Sequence, residues 1–249
     1  MPDPHARSEF VDALRKGLLL GAAFLMLVLP PTLRAPTPGA DRDGGPRVVA
    51  TPRSGPGPDF GDVNPTPDVR RMAGWVLASG DHQRKSFVII DKKDARVYLF
   101  DPRGRLQSTA PALLGAYPGD DSAPGVGDKP IAEVKPEEKT TPAGRFVAEL
   151  GTSSSRGEDV VWIDYNAAVS MHRVLNVPAR LQALSSPTSE DNRMSFGCVN
   201  LPPPFYENVL RPAVERTGAI IYVLPETRPL RETFASFHDV TAPVKLAQH

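Results

Sequence analysis

Proline and glycine are unevenly distributed along this chain, and their distribution limits where a folded domain can lie. The 249 residues include 28 prolines and 20 glycines, which crowd into the stretch from Pro30 to Pro67. Proline has no amide hydrogen to donate to a helix or a sheet, and such a stretch offers few apolar side chains for a core. We therefore predict a disordered linker over residues 36–66. The folded domain is expected at residues 67–226, followed by a polar C-terminal tail at residues 227–249.

The residues before the linker have the pattern of an export segment. Arg7, Arg15 and Lys16 precede an uncharged run from Gly17 to Leu29, in the order of the basic and apolar regions of a signal peptide. The run is shorter than the roughly 20 residues that a membrane-spanning helix needs, and no Ala-x-Ala cleavage site follows it. Residues 1–35 are predicted to be a cleaved signal peptide or an uncleaved membrane anchor, with a buried core helix as the remaining explanation. Export predicts a location on the periplasmic side of the cell envelope, with attachment to the inner membrane if the segment is retained.

Charge and cysteine content exclude several classes of function. Lys plus Arg equals Asp plus Glu at 29 each, so no net positive field attracts a polyanion, and we predict no nucleic-acid partner. The chain has one cysteine, which rules out an intrachain disulfide and a cysteine-based zinc cluster. We therefore predict neither a metal nor another cofactor, and the single thiol needs a different explanation.

After the linker, the apolar residues are first spaced as in a helix and then follow the pattern of strands. Thr66, Pro67 and Asp68 form a helix-start signal, and apolar residues follow at helical spacing until Gly80. Runs rich in Val, Ile, Tyr and Phe then predict strands. The predicted strands are Ser86–Asp91 and Ala95–Asp101, which form a hairpin, and Arg145–Leu150, Val160–Tyr165, Ala168–His172 and Ala219–Leu224. Further predictions are a long loop between Pro118 and Thr141 and short helices at Pro178–Leu184, entered through Asn176, and between Pro202 and Gly218. Because strands outnumber helices, the fold is predicted to be mainly β with a few short helices.

The single cysteine lies in a segment that suits a nucleophile. Gly197 directly precedes Cys198 in the segment from Arg193 to Leu201. Glycine adopts dihedrals that other residues avoid and allows close approach of a substrate, and amides near such a turn are suited to hold an oxyanion. A free thiol, with an ordinary pKa of about 8.5, needs a neighbouring base or positive charge to become a thiolate. A buried, unreactive cysteine is the competing interpretation, and the Gly-Cys pair alone does not decide between them.

A histidine is the usual base for such a thiol, and His172 is the best placed of the five. It ends an apolar strand and is followed by Arg173, which places it at the rim of a sheet, where a side chain can face a cleft. A structural histidine is the alternative at such a position. The remaining histidines lie before the export segment, in a turn, in the predicted tail and at the last residue: His5, His82, His238 and His249.

Three segments, in the right order, resemble one known family. The run Ser195-Phe196-Gly197-Cys198-Val199-Asn200 resembles the Ser/Thr-His-Gly-Cys-hydrophobic-Asn signature of the L,D-transpeptidase (YkuD-type) catalytic domain. His172 stands where that family has its upstream histidine. Thr141–Phe146 resembles the family's Thr-Pro-x-Gly-x-Phe segment, and the hairpin Phe87–Phe100 resembles its first strands. The resemblance covers roughly Ser86 to Pro225 and implies an L,D-transpeptidase-like β-sandwich or barrel.

The resemblance also implies roles for individual residues. Cys198 would be the nucleophile that forms a thioester, with His172 as its general base and the main-chain carbonyl of Arg173 orienting the imidazole. The amides of Gly197 and Cys198 would hold the oxyanion. The residues that would shape the surrounding loop are Ser195, Phe196 and Asn200, and Arg193 is a candidate for binding a substrate carboxylate. Two departures stand out, because Phe196 replaces the signature histidine and the stretch from His172 to Ser195 is longer than usual in the family.

The implied substrates are peptidoglycan stem peptides. L,D-transpeptidation would pass the acyl group to an amine of a second stem, and L,D-carboxypeptidation would pass it to water. A non-catalytic module that binds peptidoglycan or an envelope partner, with an altered cleft, is the alternative of a different class. A papain-like protease shares the thiol and imidazole chemistry, but its cysteine comes first in the chain, whereas here the histidine precedes Cys198.

Overall fold

The computed structural model describes residues 57–153 and 157–240. The predicted signal peptide or membrane anchor, residues 1–35, lies outside these ranges, as does the predicted linker up to residue 56. Within the described ranges, no helix has the length and apolar character needed to cross a membrane.

The described residues form a mainly β structure with a few short helices, as the sequence predicts. The strands are β1 (Ser86–Asp91), β2 (Arg96–Phe100), β3 (Leu106–Pro111), β4 (Leu114–Gly115), β5 (Gly144–Val147), β6 (Glu149–Thr152), β7 (Asp159–Asp164), β8 (Val169–Arg173), β9 (Arg193–Ser195), β10 (Val199–Leu201) and β11 (Ala219–Val223). The α-helices are α1 (Pro67–Ser79), α2 (Pro178–Ser185), α3 (Pro203–Phe205), α4 (Arg211–Thr217) and α5 (Leu230–Thr233), with a π-helical stretch, Tyr206–Leu210, between α3 and α4. The predicted long loop contains only short 3-10 turns, at Val126–Asp128, Ile131–Glu133 and Pro136–Glu138.

The strands form two main sheets. One has the order β3-β2-β1-β11-β5 and the other the order β10-β8-β7-β6, while β4 and β9 form a small third sheet. Val88 and Ile90 of β1 share a buried cluster with Met171 of β8, whereas Phe87 and Ile89 pack with residues of α1. Both faces of β1 are therefore covered, which explains why its sequence is an apolar run rather than an alternating pattern.

Helix α1 begins and ends at the predicted signals. The Thr66 hydroxyl accepts a hydrogen bond from the Val69 amide at 3.4 Å, and Pro67 occupies the first helical position, where its missing amide hydrogen costs nothing. Gly80 ends the helix in the left-handed conformation with φ of 69°. The buried face of the helix includes Met72 and packs on the five-stranded sheet.

One predicted strand is two strands. Residues 145–150 are predicted to form a single strand, but the chain leaves the five-stranded sheet after β5 and enters the four-stranded sheet with β6. The buried residue Ala148 lies at the crossing, with its amide donating to the carbonyl of Ala219. Both segments are extended strands, so the sequence alone does not show that the chain changes its partner strand between them.

The described part of the predicted C-terminal tail belongs to the core. Leu230, Phe234 and Phe237 are buried in the cluster that contains Trp75 of α1, and the Trp75 indole donates to the carbonyl of Ser236 at 3.2 Å. The prediction that the folded domain ends at residue 226 and is followed by a polar tail is therefore wrong for residues 230–237. Three apolar side chains separated by polar residues were too sparse to signal a core segment.

The end of the predicted linker is also part of the folded structure. Phe60 is buried and packs on Phe100 with ring centroids 5.5 Å apart. The amide of Leu106 donates to the carbonyl of Asp59 at 2.8 Å. Ordered structure thus begins before residue 67, because one aromatic side chain and a backbone pairing hold residues 59–60 to the sheet edge.

Candidate active site

The register between β8 and β10 gathers the signature residues on one face of the four-stranded sheet. The two strands are parallel neighbours, with Met171 opposite Val199 and His172 opposite Asn200. Side chains alternate along a strand, and Met171 and Val199 point into the core. The opposite face therefore carries the polar set, which is Ser170, His172, Cys198 and Asn200.

The sulfur of Cys198 is partly exposed and lies among oxygen atoms. Its Sγ is 3.8 Å from the Ser170 hydroxyl oxygen and 3.6 Å from the main-chain carbonyl of Ala168. Ala168 has a positive φ of 53°, unusual for a residue with a side chain, and this turn directs its carbonyl at the thiol. The cysteine is thus accessible to a substrate and is not sealed in hydrocarbon.

The imidazole of His172 is oriented by its own strand. Its Nδ1 lies 2.8 Å from the main-chain carbonyl oxygen of Arg173, and a carbonyl only accepts. Nδ1 must therefore carry a hydrogen and donate it, which leaves Nε2 as the basic nitrogen of the neutral ring. Arg173 occupies the position from which the family resemblance expects this carbonyl.

Asn200 faces the basic nitrogen of this ring. Its Nδ2 lies 3.2 Å from His172 Nε2 and 3.4 Å from the carbonyl oxygen of Cys198. The amide nitrogen carries two hydrogens, so one can be donated to each acceptor. Asn200 therefore links the imidazole to the main chain of Cys198.

The turn before Cys198 is held by Ser195. The Ser195 hydroxyl donates to the Cys198 carbonyl at 2.6 Å and accepts from the Gly197 amide at 3.0 Å. This corrects one expectation, since the Gly197 amide was predicted to hold the oxyanion. An amide has a single hydrogen, and Ser195 already accepts it, so the Gly197 amide is not available to an oxyanion in this arrangement.

Gly197 is required at its position by both conformation and space. Its φ is 125°, and a Cβ placed there would lie 2.7 Å from the main-chain oxygen of Thr140. A side chain would strain the backbone and collide with a carbonyl that cannot move aside without shifting the loop.

Gly197→Ala is therefore expected to lower the free energy of unfolding by about 1–3 kcal/mol, as measured by urea denaturation. Gly125→Ala is the matched control, because Gly125 also has a positive φ, of 68°, but open space around its Cβ position. The free energy of unfolding of Gly125→Ala should fall by only about 1 kcal/mol. An equal decrease in the free energy of unfolding of the two variants would show that a Cβ at Gly197 does not collide with the carbonyl of Thr140.

Phe196 turns its ring towards solvent at the rim of the site. The side chain is 44% exposed, and the Lys139 ammonium lies 4.2 Å from the ring centroid. A cation at this distance from an aromatic face is attracted by the ring quadrupole. The residue that replaces the signature histidine thus holds a lysine of the long loop against the turn that carries Cys198.

Both arginines singled out in the sequence have carboxylate partners. The Arg173 guanidinium contacts Asp159 and Glu207, each at 2.9 Å, so this residue faces the site through its main chain. The Arg193 guanidinium contacts Glu226 and donates to the Lys92 carbonyl at 2.9 Å. A substrate carboxylate would have to compete with Glu226 for Arg193.

A buried ionic network beside the site was not foreseen. Lys92, which lies between the two predicted strands of the hairpin, is fully buried. Its ammonium donates to Asp120 Oδ1 at 2.7 Å and to the main-chain carbonyl of Thr141 at 2.9 Å, and it lies 3.5 Å from Glu226. An ammonium taken out of water needs such partners, so the network fixes the start and the end of the long loop.

Thr141 connects this network to the turn before Cys198. Its hydroxyl donates to the Gly197 carbonyl at 2.8 Å and accepts from the Gly115 amide at 2.9 Å. The sequence contained one signal for this residue, its place in the Thr-Pro-x-Gly-x-Phe segment, but gave no role. The structure makes Thr141 the link between Lys92 and the turn at Gly197.

The part of the chain that the structure describes contains no group of three or more His, Cys, Asp or Glu side chains arranged to hold a metal ion. The groups on the shared face of β8 and β10 are the Cys198 thiol, the His172 imidazole, the Asn200 amide and the Ser170 hydroxyl.

Solved structures with similar folds include L,D-transpeptidases, while no protein-family model and no curated protein matches the sequence. The catalytic domain of the E. faecium L,D-transpeptidase is 15% identical, with a TM-score of 0.33, over 57% of this chain and 98% of that domain. The L,D-transpeptidase from Stackebrandtia nassauensis is 16% identical, with a TM-score of 0.34, over 58% of this chain and 57% of that one. The L,D-transpeptidase from Mycobacterium smegmatis is 16% identical, with a TM-score of 0.31, over 56% of this chain and 58% of that one. The chain thus spans somewhat more than half the length of the last two proteins.

Proposed function

We propose that this protein is a cysteine acyltransferase that acts on peptidoglycan stem peptides. The observation that carries the proposal is the shared face of β8 and β10, on which a partly exposed Cys198 and an Nδ1-protonated His172 both lie. A thiol and a basic imidazole nitrogen on neighbouring strands are the pair that nucleophilic acyl transfer needs. The sequence signature around Cys198 supports the choice of substrate.

The first step forms a thioester. His172 Nε2 accepts the proton of the Cys198 thiol, and the thiolate adds to the carbonyl carbon that joins a diamino acid to the terminal D-alanine. The Cys198 amide donates to the oxyanion. Collapse of the tetrahedral intermediate breaks the C–N bond, the imidazolium returns its proton to the leaving amine, and D-alanine departs.

The second step releases the acyl group. An amine of a second stem peptide attacks the thioester, loses a proton to His172 and forms a new amide, while the sulfur recovers a proton as the thiol. Water in place of the amine gives a shortened stem with a free carboxylate. The same residues thus support L,D-transpeptidation and L,D-carboxypeptidation, and the acceptor alone distinguishes them.

The substrate requires an exported protein, and the N-terminal pattern supports that part of the proposal. Arg7, Arg15 and Lys16 followed by the apolar run Gly17–Leu29 are typical of export. We place the enzyme on the periplasmic side of the envelope, as a released protein or as one anchored in the inner membrane.

A binding module without catalysis is the second candidate, favoured by one observation. The amide of Asn200 lies 3.2 Å from His172 Nε2, which is the nitrogen that would take the thiol proton. A protein in which this contact never opened would bind stem peptides without cleaving them.

Incubation of the purified protein with stem tetrapeptides, followed by mass spectrometry, tests the proposal. Loss of D-alanine with a cross-linked dimer is the result expected for transpeptidation, and loss without a dimer indicates hydrolysis. A carbapenem, which the family resemblance implies as an acylating inhibitor, should add its mass to Cys198 near neutral pH. Unchanged peptide together with an unmodified thiol would overturn the enzyme and leave the binding module.

A further inference from the structure

Arg180 lies outside the signature yet reaches into the site. It is carried by α2, within the long stretch that separates His172 from Ser195. Its Nη1 donates to Asn200 Oδ1 at 2.6 Å, and its Nη2 donates to the Met194 carbonyl at 3.4 Å. The Arg180 guanidinium therefore contacts His172 only indirectly, through Asn200.

The guanidinium determines which way the Asn200 amide points. A guanidinium has donors and no acceptor, so the atom of Asn200 that faces Arg180 must be the oxygen. The amide nitrogen is then directed at His172 Nε2 and at the Cys198 carbonyl, at 3.2 and 3.4 Å. All hydrogen-bonding groups of the amide have partners in this orientation, whereas the flipped amide would place a donor against a donor at Arg180.

The orientation of Asn200 in turn bears on the imidazole. An N–H directed at Nε2 requires a lone pair there, and the Arg173 carbonyl at 2.8 Å from Nδ1 requires the hydrogen on the other nitrogen. We propose that Arg180 is a positioning residue which, through Asn200, keeps the proton of the neutral His172 ring on Nδ1. The inference rests on the proposed function in one respect, that His172 acts as the base.

The orientation of Asn200 determines which nitrogen of the His172 ring is basic. If Asn200 turned its oxygen to Nε2, a proton on Nε2 would be stabilised and the ring could not accept the proton of Cys198. Arg180 prevents that turn. The contact between Asn200 and Nε2 must also open when Nε2 takes the thiol proton, so the amide marks the resting state of the site.

The test is the protonation of the two ring nitrogens of His172 in the full-length protein at one neutral pH. Two-bond ¹H–¹⁵N correlation spectra distinguish a protonated from an unprotonated ring nitrogen, and the His172→Gln variant identifies the signals of His172. We expect a protonated Nδ1 and an unprotonated Nε2 in the natural protein. In Arg180→Ala the two nitrogen shifts should move towards each other as both tautomers become populated, and Arg180→Lys should restore part of the difference.

Asn200→Asp is the second variant and does not depend on the loss of Arg180. A carboxylate can keep the guanidinium as its partner, but it offers no N–H to Nε2, so Nε2 should gain a proton. If Arg180→Ala does not fold, as judged by circular dichroism, Arg180→Met, which fills similar space but donates no hydrogen bond to Asn200, decides the question.

Arg70→Ala is the matched control, because the Arg70 guanidinium donates to Asn64 Oδ1 at the same 2.6 Å but on α1. It should leave the His172 signals unchanged. A proton on Nε2 in the natural protein, or unchanged His172 shifts in folded Arg180→Ala, would overturn the inference. The spectra need no substrate, so this result and the stem-peptide result can fail independently.

Discussion

Replacement of Cys198 by serine is expected to lower the rate of D-alanine release from a stem tetrapeptide at least about a thousandfold. A serine hydroxyl is a weak nucleophile at neutral pH, whereas a thiol is easily converted to a reactive thiolate beside a base. The Ser170 hydroxyl, 3.8 Å from the sulfur, is expected not to substitute, because it lies one strand away from the turn at Gly197. The measurement is the initial rate of D-alanine release by mass spectrometry.

The single cysteine makes the control for this variant direct. Because the chain has one thiol, any mass added by a carbapenem or an alkylating reagent to the natural protein reports on Cys198, and it should be absent from Cys198→Ser. The variant must also unfold at the same urea concentration as the natural protein. Release of D-alanine at an unchanged rate by folded Cys198→Ser would rule out the thioester mechanism.

The parts of the fold that the sequence predicts well are those with uninterrupted apolar patterns. β1 lies at the predicted bounds, Ser86–Asp91, and α1 runs from Pro67 to Ser79 between its predicted signals. In both cases the local conformational preference agrees with the packing, because the apolar residues that favour the strand or the helix are also the ones buried in the core. The loop after β4 is likewise free of regular strands because it is rich in proline and glycine.

The parts that the sequence could not predict depend on distant partners. β9 and β10 have three residues each, too few to show a period, and β10 exists because β8 offers it a parallel edge. Arg180 lies in a helix that sequence spacing predicts, but its contact with Asn200 depends on how α2 packs. Lys92 is a charged residue between two strands, as is common in a turn. None of its neighbours in the sequence indicates that its ammonium is buried.

Removal of the buried Lys92 ammonium is expected to cause a large loss of stability. Lys92→Met should lower the free energy of unfolding by about 3–5 kcal/mol, measured by urea denaturation near neutral pH. Methionine has a similar length but no charge, so Asp120 would remain in a buried site without its cation, while Glu226 would keep only Arg193 as a cationic partner. The carbonyl of Thr141 would also lose its donor, which should loosen the connection to Gly197.

Two variants separate the loss of charge from a general loss of packing. In Lys92→Met combined with Asp120→Asn, the cation and one anion are removed together, so the destabilisation should be smaller than in Lys92→Met alone. Arg211→Ala removes a surface ion pair with Glu215, in which both side chains are 45% exposed, and a longer contact with Asp159. It should cost less than about 1 kcal/mol. A double variant that is less stable than Lys92→Met by the full cost of Asp120→Asn would contradict the pairing.

The dependence on pH should identify the ionic origin of this stability. Burial by itself would raise the pKa of Asp120, but hydrogen bonds from Lys92, from the Thr227 hydroxyl and from two main-chain amides hold that pKa well below its usual range. A carboxyl whose pKa is lower in the folded state contributes stability above its unfolded pKa, of about 3.9, and loses it as the pH falls towards the folded value. The difference in stability between the natural protein and Lys92→Met should therefore be largest near neutral pH and should narrow below about pH 4. A difference that stayed constant down to about pH 2 would mean that Lys92 stabilises the fold through the packing of its carbon chain and not through its charge.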